Sequence, residues 1–255
     1  GNPIAIKMFG KGLYPNPENL TVEKIDELKG NAVKAYENIK YVTDLAEAVK
    51  DADLVIEAMA ENPQAKIEFY EKLAGVLPEK TVIATNSSSM LPSAFAQYTG
   101  RPEKYLALHF ANNIWRGNTA EVMGHAGTEQ KYYDAVAEFA GQIQMVPLLM
   151  KKEQPGYILN SMLIPFLRSA ETLLAREVAD PQTIDLTWKI GTGAPKGPFE
   201  ILDIVGLTTA YHIIMNSHDA SDPATDNGKI AAILKKYIDE GKTGINAGEG
   251  FYKYN

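Results

Sequence analysis

Two short apolar runs, at 81–85 and 105–108, each hand the chain over to a cluster of polar residues. The first, TVIAT, delivers Asn86, Ser87, Ser88 and Ser89; the second, YLAL, delivers His109 and then Asn112. Short continuous apolar runs of this kind fit strands buried on both faces of a parallel sheet. In open α/β sheets, ligands sit outside the carboxyl ends of the strands. Hydroxyls, carboxamides and an imidazole are therefore expected at one ligand crevice, with Glu121 following closely enough to orient the imidazole.

The rest of the N-terminal half repeats the strand–helix rhythm. Strands are expected at 4–9, 39–43, 54–59 and 145–150, the last at a sheet edge because Pro147 cannot donate to a ladder. Helices are expected through most of 16–50, with Thr21 as an N-cap and a break at the strand 39–43. A short helix at 44–50 is capped by Thr43 or Asp44. Further helices are expected at 63–76, near 91–97 and at 128–142. Alternating strands and helices imply a doubly wound parallel sheet. From Lys151 onward no alternating strand pattern remains. Helices are expected at 157–177, 181–190, 199–216 and 229–240, so the second domain is all-helical. The boundary is placed at about residue 151, giving domains 1–150 and 151–255.

Composition narrows the function classes. The 255 residues are 45% hydrophobic and 22% charged, with a formal net charge of −7. An acidic chain of this kind argues against a nucleic-acid binder, which needs a basic face. Cysteine is absent, which excludes disulfides, thiolate metal sites and cysteine nucleophiles and suits a cytoplasmic setting. No metal site is expected. No apolar run approaches the ~18 residues of a membrane span, and no signal-peptide pattern opens the chain.

The polar constellation resembles the L-3-hydroxyacyl-CoA dehydrogenase family. The quoted matches are Asn86 to Ser89, the His109-Phe110-Ala111-Asn112 run, and Glu121 before Val122. Flanking matches are ADLVIEA at 52–58 with Glu61 and Asn62, QPGYILN at 154–160, GPFEILD at 197–203 and GFYKY at 250–254. The likeness covers roughly residues 40–255. It implies a Rossmann-like domain followed by a helical domain for substrate binding and dimerisation. It also implies NAD as cofactor, an acyl-CoA substrate of short chain as in 3-hydroxybutyryl-CoA dehydrogenases, a homodimer formed through the helices, and a place in β-oxidation of fatty acids.

The resemblance carries site roles to particular residues. His109 is the general base, suited to that task because imidazole titrates near neutrality. Glu121 orients it, Ser88 holds the substrate oxygen, and Asn160 binds substrate from the second domain. Glu61, Lys66, Asn86, Ser88 and Asn112 are the expected cofactor contacts. Ser89 reads as a helix cap. His125, His212 and His218 read as surface or packing residues.

Departures from the family pattern bear on the same site. Asn113 stands where a proline is common, in a loop beside His109. The run GKGLYP at 10–15 has Pro15 where the third glycine of a dinucleotide fingerprint would stand, so it reads as a loop. The chain is thus expected to lack the first βαβ unit of its sheet, and with it the helix N-terminus that would seat the NAD pyrophosphate. Two alternatives stay open: an NAD-dependent dehydrogenase of a non-CoA hydroxy or sugar acid on the same fold, and a non-catalytic structural or binding protein.

Overall fold

The computed structural model describes residues 21–254 apart from 113, 115 and 116. The expected strand at 4–9 and the loop at 10–15 lie outside the described residues, as does Asn113. The chain divides into two compact units, Gly1–Ile158 and Leu159–Asn255.

Among the described residues of the first unit, five strands form one sheet in the order of the sequence: β1 (Leu54–Glu57), β2 (Val82–Thr85), β3 (Tyr105–Phe110), β4 (Thr119–Gly124) and β5 (Val146–Met150). Pairings are parallel except β3–β4, which is antiparallel. The sheet is thus the doubly wound one read from the sequence, with an antiparallel pairing that the parallel reading did not include, and β5 with its Pro147 lies at an edge of the described sheet. Alternation along the strands sorts side chains to opposite faces. Val82, Ala84, Leu106, Leu108, Ala120 and Val122 pack against Val136 and Ala140 of α4 (Gln130–Gln142). Ile83 and Tyr105 face the other way, against Tyr70 and Leu73 of α3 (Pro63–Ala74), with Val49 of α2 (Leu45–Val49) in the same cluster. The first described helix, α1 (Val22–Asn38), starts at Thr21, whose Oγ1 accepts from Lys24 N as the sequence implies.

Several expectations need correction. Residues 39–43 form no strand; they are exposed, with Tyr41 83% accessible and no neighbouring strand among the described residues to pair with. The helix expected near 91–97 is instead two 3₁₀ turns, Pro92–Ala94 and Ala96–Thr99. Strand β4 was not anticipated, because TAEVM carries only a short alternation between turn residues. Residue 157 does not begin a helix: Tyr157 has φ +55°, in the left-handed region, and the helix starts at Leu159.

The second unit consists of α5 (Leu159–Ala175), α6 (Pro181–Thr192), α7 (Pro198–Val205), α8 (Leu207–Met215) and α9 (Asp226–Asp239). The single helix expected at 199–216 is broken at Gly206, whose φ of +92° only glycine adopts readily. The core gathers Leu167, Ala170, Phe199, Leu202, Leu207, Ile214, Ile230, Leu234 and Phe251. Glu171 of α5 is buried within it beside a cavity of about 30 Å³, with Arg168 Nε 3.8 Å away. Burial pushes its carboxyl up to about 7, against the opposing pull of Arg168.

That displacement has a defined sign. The folded chain holds a proton that the unfolded chain, with a value near 4.5, gives up. The stability Glu171 contributes is complete below about 4.5 and is lost as pH rises through about 7. Glu171→Gln, which stays neutral, should therefore gain stability relative to wild type as pH rises across that window. Urea unfolding of both proteins at several pH values measures the difference; a constant difference would remove Glu171 as its source.

Candidate active site

The antiparallel pairing of β3 with β4 sets the centre of the site. In its register His109 stands directly opposite Glu121, and opposed residues of an antiparallel pair point to the same face. His109 Nδ1 lies 3.0 Å from Glu121 Oε2, and Nε2 lies 3.2 Å from Ser88 Oγ. Imidazole and carboxylate are both buried, at 4% and 2% accessibility, whereas Ser88 is exposed. The second carboxylate oxygen, Oε1, accepts from Ile158 N at 2.8 Å. Both oxygens of Glu121 are thereby held. A carboxylate acceptor at Nδ1 requires the proton there in the neutral ring, leaving Nε2 as the basic nitrogen on the Ser88 side.

A second cluster lies at the carboxyl ends of β1 and β2. Glu57, the last residue of β1, is buried and accepts four hydrogen bonds: from Lys66 Nζ (2.7 Å) and Met59 N (2.6 Å) on Oε1, and from Tyr70 OH (2.7 Å) and Thr85 Oγ1 (2.8 Å) on Oε2. Tyr105 OH donates to Tyr70 OH at 2.9 Å. Burial works against ionisation of Glu57, but the bonds from Lys66, Tyr70, Met59 and Thr85 outweigh it and hold its carboxyl below the usual range. Lys66 is itself fully buried; its ammonium also stands 3.5 Å from Glu61 Oε1.

Glu61 in turn organises the serine turn. Its Oε2 accepts from Ser87 Oγ at 2.7 Å and Ser89 Oγ at 2.6 Å. Burial opposes its charge, but the hydrogen bonds from Ser89 and Ser87 and the charge of Lys66 keep its carboxyl low. Ser89, expected as a helix cap, is instead bound to Glu61, and no helix starts beside it; Ser87 Oγ accepts from Met90 N at 3.0 Å within the same turn. Asn86 Oδ1 accepts from Phe110 N at 3.0 Å, tying the end of β2 to that of β3.

The structure thus brings His109, Ser88, Asn86, Glu61 and Lys66 to the carboxyl ends of β1, β2 and β3, with Glu121 facing His109 from the amino-terminal half of antiparallel β4. Asn112 is exposed just beyond β3. Asn160 is the second residue of α5 and belongs to the other unit. His125 bonds Pro102 O, and His212 and His218 are exposed. Two neighbours of the site were not singled out from the sequence. Glu57 carried a signal, a carboxylate inside an apolar strand with a lysine nine residues on; Tyr157, whose ring stacks on that of His109 with centroids 4.4 Å apart, entered only as one residue of QPGYILN.

Residues 18–154 match the family model for the NAD binding domain of 3-hydroxyacyl-CoA dehydrogenase, and residues 156–254 match the model for its C-terminal domain. The chain is 36% identical to mitochondrial hydroxyacyl-coenzyme A dehydrogenase of Homo sapiens over 223 residues, covering 87% of this chain and 70% of that one. Among solved structures it is similar to a diketoreductase described as catalysing dicarbonyl compounds, with 56% identity, a TM-score of 0.82, and coverage of 88% of this chain and 78% of that one. It is also similar to (S)-3-hydroxybutyryl-CoA dehydrogenase from Ralstonia eutropha, with 26% identity, a TM-score of 0.74, and coverage of 91% and 83%.

Glu57→Gln tests the cluster beneath the serine turn. It keeps the shape but leaves the Lys66 ammonium buried without its closest counter-charge. Removing one partner of a buried ion pair costs roughly 3–5 kcal/mol. A drop of that size is expected in denaturant unfolding, and a change below about 1 kcal/mol would show that Lys66 does not depend on Glu57.

Proposed function

The chain belongs to the 3-hydroxyacyl-CoA dehydrogenase family of NAD-dependent oxidoreductases, and we propose that it interconverts a short-chain L-3-hydroxyacyl-CoA and the corresponding 3-ketoacyl-CoA. The observation that carries this reading is the line Ser88–His109–Glu121, with its 3.2 Å and 3.0 Å contacts.

When bound, NAD would supply the acceptor for the C3 hydride, and its reduced form the donor in the opposite direction. The groups at the strand ends have chemistry that fits the nicotinamide and ribose half of that cofactor. Glu61 offers a carboxylate for ribose hydroxyls, and Asn86, Ser88 and Asn112 offer hydroxyl and carboxamide groups for polar recognition. Lys66, buried against Glu57, serves this end by holding Glu61 in place. The Rossmann-like unit is accordingly the dinucleotide-binding domain, and the helical unit the one for substrate and dimerisation.

The protein's own part is proton transfer and placement. His109 Nε2 takes the 3-hydroxyl proton as the carbon is oxidised, and an imidazolium forms. Glu121 stabilises that charge and keeps Nδ1 protonated. Ser88 Oγ, next to Nε2, fixes the substrate oxygen where the base can reach it. Burial of His109 and Glu121 strengthens the electrostatic coupling between them. In the ketone-reducing direction the same imidazolium returns the proton. The role of Asn160 as a substrate ligand rests on its sequence match.

Similarity to the Ralstonia 3-hydroxybutyryl-CoA dehydrogenase supports the short acyl chain. Exposed apolar side chains on α5 and α6, among them Met162, Leu173, Leu186, Trp188 and Ile190, support a homodimer through the helical unit. No helix among the described residues is long and apolar enough to cross a membrane. A cytoplasmic site of action and a step in β-oxidation complete the proposal.

A second reading draws on the 56% identity to the diketoreductase: the same hydride chemistry on a dicarbonyl or hydroxy acid without CoA. Rates with NADH decide between them. A kcat/KM for acetoacetyl-CoA at least about tenfold above that for a free diketo ester, about 1.4 kcal/mol of preferential transition-state binding, supports the first reading; the opposite order supports the second.

The base is tested by His109→Gln, which should lower the chemical rate by roughly 10²–10⁴-fold. Glu121→Gln should also slow turnover while leaving the fold intact. If the two act as a unit, the double variant is little slower than the slower single one. A His109→Gln enzyme keeping more than about a tenth of the wild-type chemical rate would end the assignment.

A further inference from the structure

The catalytic pair has a third neighbour that the family motifs do not single out. The Tyr157 ring lies on the His109 ring with centroids 4.4 Å apart and planes 20° from parallel. Tyr157 is 1% accessible, and its hydroxyl donates to Ser87 O at 2.6 Å, across 70 residues of sequence. Burial pushes the phenol far above its ordinary range, so it remains a protonated donor to that carbonyl. Its backbone sits in the left-handed region at φ +55°, a conformation that non-glycine residues adopt only at a cost. The next residue, Ile158, gives its N–H to Glu121 Oε1.

We propose that Tyr157 is a positioning residue for the proton transfer: its ring face stabilises the His109 imidazolium, and its hydroxyl locks that ring to the serine turn. The inference rests on the reading of His109 as the base. An aromatic face is electron-rich and attracts a cation lying over it. In the neutral ring this attraction is small; it grows as the proton arrives on Nε2. Glu121 compensates the new charge in the plane of the imidazole, through Nδ1, and Tyr157 does so from the face. The hydroxyl tie to Ser87 also makes the imidazole and Ser88 move as one body, because Ser87 precedes Ser88 directly. The left-handed turn at Tyr157 serves both ends, since it presents the ring to His109 and the following N–H to Glu121.

The charged and titratable groups whose fields reach Tyr157 are Tyr105 on β3, Glu61 and Glu57 beyond and at the end of β1, and Glu121 on β4. None is altered in the variants below, so a change in His109 titration reports the ring at position 157.

The test is an NMR titration of the imidazole in the 255-residue protein. The chain has four histidines, and the His109 resonance is identified by its loss in His109→Gln. Tyr157→Leu keeps an apolar side chain but removes the ring, and the His109 midpoint should fall by roughly 0.5–1.5 units relative to wild type, the range set by cation–π strengths. Tyr157→Phe keeps the ring and should move it by less than about 0.3 units. Should the leucine variant fail to fold, pentafluorination of the ring in Tyr157→Phe decides alone. It preserves the shape and reverses the ring's charge distribution, so the midpoint should drop towards the leucine value. A leucine or fluorinated variant titrating within about 0.2 units of wild type overturns the proposal. The acid limb of the kcat/KM profile should shift with the midpoint, which a merely structural residue would not cause. The titration needs neither NAD nor substrate. It therefore stands apart from the assignment of His109 as the base, which the rate of His109→Gln decides.

Discussion

A buried imidazole and a buried carboxylate stay in register only if something stiffer than their own side chains sets the distance. Here that is the backbone ladder between β3 and β4. Among the described strands every other pairing is parallel, and parallel neighbours need a crossover between them. The one antiparallel pair lets the chain return directly through a loop and place Glu121 opposite His109. The same return leaves β4 running so that α4 can cross over to a parallel β5. The site and the far edge of the sheet thus depend on one change of strand direction.

Keeping charges in such a place requires that each find a partner. Glu57 and Lys66 are both removed from water, which would be costly for either alone. Their contact, with Tyr70, Thr85 and the Met59 amide filling the remaining lone pairs, makes the arrangement tolerable. The lysine then lies within 3.5 Å of Glu61, and Glu61 gathers Ser87 and Ser89. A chain of charge-assisted bonds runs from the floor of the sheet to the serine turn that carries Ser88.

What the sequence shows and what it hides follow from range. The strands at 82–85 and 105–110 were legible because burial on both faces leaves a continuous apolar run. The polar residues at their ends could be read as one site because parallel strands align those ends. Strand β4 was not legible: its identity depends on pairing with β3, and TAEVM alone has too weak an alternation. The reading of 39–43 as a strand failed for the complementary reason: β-branched and aromatic residues make a strand only beside a partner, and none pairs with 39–43 among the described residues. Gly206 could have announced the break between α7 and α8, yet a glycine within a helical pattern is also compatible with continuation. Tyr157 was beyond reach, because its partners, Ser87 and His109, are distant in sequence and nothing local marks the stacking.

The motifs in the helical unit carry a different kind of information from those in the sheet. Asp203, at the end of GPFEILD, accepts from Phe251 N, Tyr252 N and Tyr254 OH, so it anchors the GFYKY segment directly. Asp185 accepts from Phe199 N, Glu200 N and Tyr252 OH, capping α7 from its side. The two C-terminal signatures are therefore one packing device, in which two buried aspartates satisfy the start of a helix and the end of the chain. A Cβ at Gly250 or Gly197 would collide with Asp203 or Asp185 respectively, which accounts for the glycines. Such residues specify the fold with high fidelity while touching no reacting group. In the sheet, by contrast, the motif residues gather around the buried His109–Glu121 pair.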